Sequence, residues 1–138
     1  MSRFLATLAL VCVLTLTACG ARPEVRTANT VREIGHVSAD LLRATCTEPY
    51  QRAAELEPEA AQRELERLDA LGCREAGIAH ELLRASHQVL VSALERVDAG
   101  RCGPALGAEC NLVGAVEDVV LAASQLAVAI ERVKERSR

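Results

Sequence analysis

The sequence predicts an all-α fold: a small, disulfide-stapled bundle of three long helices, with a short helical hairpin inserted between the first two. Three observations predict it. Apolar residues recur at helical spacing through each long segment after residue 28. No stretch shows the strict apolar–polar alternation of a strand, and no internal repeat is evident. Four cysteines, an even number, punctuate the helical segments at positions 46, 73, 102 and 110.

The N-terminal segment stands apart from that fold. Arg3 supplies a single positive charge, and the run from Phe4 to Thr17 carries none. Such a run is shorter than the roughly 20 residues a permanent membrane helix needs, and it has the length of a signal-peptide core. It ends in Leu16-Thr17-Ala18-Cys19-Gly20, a pattern that resembles the lipobox of bacterial lipoprotein precursors. The resemblance implies that residues 1–18 are a removable signal and that the Cys19 thiol carries diacylglycerol, with cleavage leaving Cys19 first in the mature chain. It covers only the first twenty or so residues. Acyl chains in that number satisfy the two-signal requirement for stable anchoring, so the expected location is extracytoplasmic and held to a bacterial membrane. In a host with two membranes, Gly20 lacks the aspartate type of inner-membrane retention signal, which makes the periplasmic side of the outer membrane the expected site. Cys12 would leave with the signal. Residues 19–27, with Pro23, read as a lipidated tether, and residues 28–138 as one helical domain.

Within that domain, Thr30 and Glu33 have the spacing of a capping box, which places the start of the first helix there. Val31, Ile34, Ser38, Leu41, Leu42 and Thr45 then share one face, and the helix is expected to end near Cys46, ahead of Glu48-Pro49. Residues 47–72 are rich in Glu, Arg and Ala. Pro58 suits an early helical position, Ala61, Leu65, Leu68 and Leu71 form one narrow stripe, and Gly72 suits a C-terminal cap. The third helix is expected from Arg74 to Ala99. Its broad apolar arc includes Ile78, Ala79, Leu82, Leu83, Val89 and Leu90, with His80 and His87 on the opposite, solvated side. A Gly/Pro-rich loop follows, and Asn111 caps a last helix running to about Val133. That helix carries no charge between Val119 and Ile130.

Helix lengths sort the disulfides. An exported domain with four remaining cysteines points to two bridges. Cys73 and Cys102 bracket the third helix, about 39 Å long at 1.5 Å per residue, whereas a disulfide needs Cα atoms within about 7 Å. Cys73–Cys110 would require eight residue steps, at most about 28 Å, to retrace that helix. Cys46–Cys73 and Cys102–Cys110 remain. The first bridge forces residues 47–72 to fold back, most naturally at Glu57-Pro58. The cysteine spacings match no zinc pattern, and an oxidising compartment disfavours free thiolates.

Composition removes several function classes. The 138-residue chain has a formal net charge of −3 and no basic tract, so the electrostatic basis for nucleic-acid binding is missing. Tyr50 is the one aromatic residue after Phe4, which leaves no stacking platform for bases. His80 and His87 stand two turns apart with Arg84 between them, too far for one metal ion to be gripped by a single helix. No nucleophile motif is present, the cysteines are committed to bridges, and no cofactor is expected. The expectation is therefore a non-enzymatic, lipid-anchored envelope protein that binds a protein partner, or itself, through a helix surface. A small-ligand or lipid-binding helical module, or an envelope inhibitor or immunity-type lipoprotein, fits the same sequence. Leu121 and Val128 are the candidate partner-binding residues, since they make the last helix apolar almost all round; the competing expectation is that residues 47–72 cover them.

Overall fold

The structure, a computed structural model, describes residues 22–103, Gly107 and residues 110–138; the expected signal and Cys19 lie outside these residues. Among the described residues every regular element is helical. In order they are α1 (Pro23–Leu42), a π-helical turn (Arg43–Thr47), α2 (Glu48–Ala53), α3 (Pro58–Leu71), α4 (Cys73–Asp98) and α5 (Leu112–Arg136).

The first helix departs from the sequence reading at both ends. It begins at Pro23, so most of the expected tether is helical, and Thr30 and Glu33 lie inside the helix and do not cap it. The local chemistry accounts for this. Proline at the first helical position has its φ preset and lacks only an N–H that would be unpaired anyway, and Glu24 favours the positive helix end. Ala28 is then buried and Val25 packs against the core. Arg22, just before the helix, pairs with Asp98 at the far end of α4.

At its other end the helix does not stop at Cys46. It widens into the π-helical turn, in which the Glu48 N–H bonds the Arg43 carbonyl five residues back, and continues as α2. In a regular helix Pro49 would lack its hydrogen bond and press its ring on the Thr45 carbonyl. One extra residue in the turn relieves that conflict. Pro49 and Cys46 are both buried.

Residues 54–57 reverse the chain, and Pro58 opens α3 as expected. Gly72, with φ of 90°, ends α3 in the left-handed conformation and immediately starts α4. Cys46 and Cys73 are bridged with Cα atoms 5.5 Å apart, and Cys102 and Cys110 are bridged across the loop at 5.8 Å. The Asn111 side chain accepts from the Gly114 N–H at 3.0 Å. A Cβ at Gly114 would meet the Asn111 amide at 2.6 Å, so this cap needs glycine at that position.

The contacts fix the helix directions. His87 meets the Ala28 carbonyl, His80 meets that of Gly35, and Cys46 bonds Cys73, so α1 and α4 run antiparallel. Arg136, near the end of α5, donates to the Ala70 carbonyl beside the start of α4, so α4 and α5 are antiparallel too. The core lies where α1, α4 and α5 meet: Leu83, Leu90, Val119, Leu126 and Val133 are essentially inaccessible. Leu68 and Leu71 of α3 close it at the disulfide end.

Candidate functional site

The buried residues of α5 fall on one side: Ala115, Val119, Ala122, Ala123, Leu126, Ala129 and Val133, at the spacing of a core-facing stripe. Leu121 and Val128 project from the opposite side and remain 59% and 53% exposed. The hairpin does not cover them. Its own apolar residues, Leu68 and Leu71, are used at the end of the bundle, where α3 meets α5 through Arg136. Val113 and Val120 are exposed on the same helix. By length and composition alone α5 could cross a membrane, but its buried stripe packs in the core formed with α1 and α4.

In α4 the helix is turned differently from what its pattern suggests: Ile78, Leu82 and Val89, expected in the core, are exposed, whereas His80 and His87, expected in solvent, are half-buried against α1. The imidazoles lie against α1 and reach its backbone carbonyls. His87 Nε2 donates to the Ala28 carbonyl at 2.9 Å and His80 Nε2 to the Gly35 carbonyl at 3.3 Å. Since a carbonyl can only accept, these bonds assign the Nε2–H form. With the histidines inward, the far edge of the apolar arc turns out. Val89 thereby borders an open groove with α5 that also includes Ser92, Arg96, Gly114 and Asp118.

Two further concavities flank α1 and α4. One is a cleft of about 200 Å³ whose lining includes Val31, Gly35, His36, His80, Leu83 and His87. The other is a broad open groove of about 970 Å³ that includes Leu42, Arg43, Tyr50, Arg74, Ile78 and Leu82. Among the described residues no three His, Cys, Asp or Glu side chains cluster as a metal site.

Beside the Cys46–Cys73 bridge lies a polar cluster that the sequence reading missed. Asp69 accepts from Arg74 Nη2 at 2.6 Å and from the Tyr50 hydroxyl at 3.1 Å. The Arg74 bond first, and then that of Tyr50, hold the Asp69 carboxyl below the usual range, while burial first and the Asp69 bond second push the Tyr50 hydroxyl up. Tyr50 was the available signal: a lone aromatic in an aliphatic chain invites a search for its hydroxyl partner. The cluster ties α2 to α3 and α4, and serves the same joint as the disulfide.

No protein-family model, no curated protein and no solved structure matches this chain.

Proposed function

We propose that the chain is the precursor of a lipid-anchored bacterial envelope protein that acts by binding protein, not by catalysis. We further read its frame as a bundle of three long helices, α1, α4 and α5, with α2 and α3 as the inserted hairpin. The observation that carries the binding role is the outward aliphatic side of α5, Leu121 and Val128 above all; Ile78, Leu82 and Val89 of α4 are exposed as well. Aliphatic side chains left uncovered by the fold gain about 25 cal/mol per Å² when a partner removes them from water.

The anchor rests on the lipobox resemblance at Leu16–Cys19. A helix starting at Pro23 leaves only Gly20, Ala21 and Arg22 between Cys19 and α1. Three residues reach about 10 Å, so the bundle would sit directly on the lipid surface. Metabolic labelling with a fatty acid tests the anchor: label on the wild-type chain and none on Cys19→Ser is expected, and label retained by the variant would refute it. Partner binding is tested separately, through Leu121 and Val128.

A further inference from the structure

Resting on the binding role proposed above, we infer that the partner of the α5 outer face is a second copy of this chain, docked antiparallel about a two-fold axis level with Ser124 and Gln125. The uncharged run from Val119 to Ile130 is twelve residues, about 18 Å of helix. Glu117 and Asp118 stand before it, and Glu131 and Arg132 after it; all four are exposed. On the side of the helix that carries Leu121 and Val128, the nearest charges are Glu117 at one end and Arg132 at the other.

A two-fold axis perpendicular to α5 and level with residues 124–125 brings each residue opposite the one equally far beyond the axis. Leu121 then lies level with Val128 of the second copy, and Glu117 with its Arg132. One axis satisfies both pairs, and each occurs twice, as an isologous interface requires. Neither Glu117 nor Arg132 takes part in an ion pair within the described residues, whereas Glu131 is already engaged by Lys134 at 3.1 Å. Asp118 and Glu131 also come level across this axis, but they project to opposite flanks of the helix. Ser124 at the centre is small, and its hydroxyl is turned back to the Val120 carbonyl at 2.7 Å, so it neither blocks close approach nor demands a partner. A parallel pair would instead set Glu117 against Glu117 and Arg132 against Arg132, and like charges facing each other oppose it.

The strip is small beside the roughly 1,200–2,000 Å² that stable interfaces bury. Confinement to one membrane surface raises the effective concentration of copies and compensates for a weak contact.

The test uses the full chain in the membranes of expressing cells, with a short bismaleimide cross-linker and fatty-acid labelling on the same samples. Ser124→Cys is expected to give a covalent dimer and Val113→Cys, far from the axis, only monomer. On the Ser124→Cys background, Glu117→Arg should lower dimer yield about fivefold to thirtyfold, since two ion pairs become two repulsions. Adding Arg132→Glu should restore it. Equal cross-linking at Val113→Cys would overturn the antiparallel arrangement, and so would a failure of the double reversal to rescue. If Ser124→Cys cross-links only to a different protein, the second copy is refuted while the binding role stands. Dimer without fatty-acid label would refute the anchor and leave this inference intact.

Discussion

Asp69 accepts from Tyr50 on α2 and from Arg74 on α4 while itself sitting on α3, so one exposed carboxylate joins three elements. Its depressed pKa fixes the sign of a pH effect. A carboxyl that ionises more readily in the folded state stabilises it above the unfolded pKa, and the contribution is lost as pH falls through the folded value. The wild-type chain should therefore lose stability below about pH 4. Asp69→Asn should narrow the gap between melting temperatures at pH 7 and pH 3; an unchanged gap would remove Asp69 from the account. Gly72 makes a different kind of contribution. Its φ of 90° suits glycine, and a Cβ there would come no closer than 3.5 Å to a neighbour, so conformation and not space is the constraint. Gly72→Ala is expected to cost about 1–2 kcal/mol in urea unfolding.

At the scale of elements, the sequence was most legible where a local rule met no competing contact. Pro58 opening α3, Gly72 closing it and Asn111 capping α5 all required only chemistry within a turn. It was less legible where tertiary packing outweighed the local signal. Thr30 and Glu33 form a capping pair in sequence, yet Val25 and Ala28 have core to bury and draw the helix start back to Pro23. Pro49 reads as a stop, yet a π-helical turn lets the helix pass it and carries Cys46 to Cys73. His80 and His87 read as solvated because nothing local reveals that the Gly35 and Ala28 carbonyls of α1 accept from them. The disulfides were legible because helix length is a global ruler. They should differ in worth: loop-closure entropy gives about 3.5 kcal/mol for a bridge spanning 27 residues and about 2.5 for one spanning 8. Urea unfolding of the Cys46→Ala/Cys73→Ala and Cys102→Ala/Cys110→Ala variants should rank them in that order. The reverse ranking would mean that the α1–α4 joint is held mainly by its packing.

For the whole molecule the decisive contrast is between the two sides of α5, since one helix serves both the core and the proposed interface. Leu126 is fully buried, and Leu126→Ala should cost about 2–5 kcal/mol, because lost burial adds to the cavity left behind. Leu121 and Val128 differ in kind: with more than half of each side chain in water, little of their transfer free energy is realised in the isolated fold. The double variant Leu121→Ser/Val128→Ser should accordingly change stability by no more than about 0.5 kcal/mol per site. For a domain of this size that amounts to a few degrees at most. Association should respond in the opposite proportion. Burying both side chains completely is worth at most about 3–6 kcal/mol, and since part of that is already realised, partner binding should weaken by at least tenfold. Melting temperature and cross-linking yield, measured on the same preparations, separate these quantities. A stable variant that no longer associates supports the outer face as the working surface. A variant that melts as early as Leu126→Ala would show that this face belongs to the fold's own core, and the interface would have to be sought on another helix.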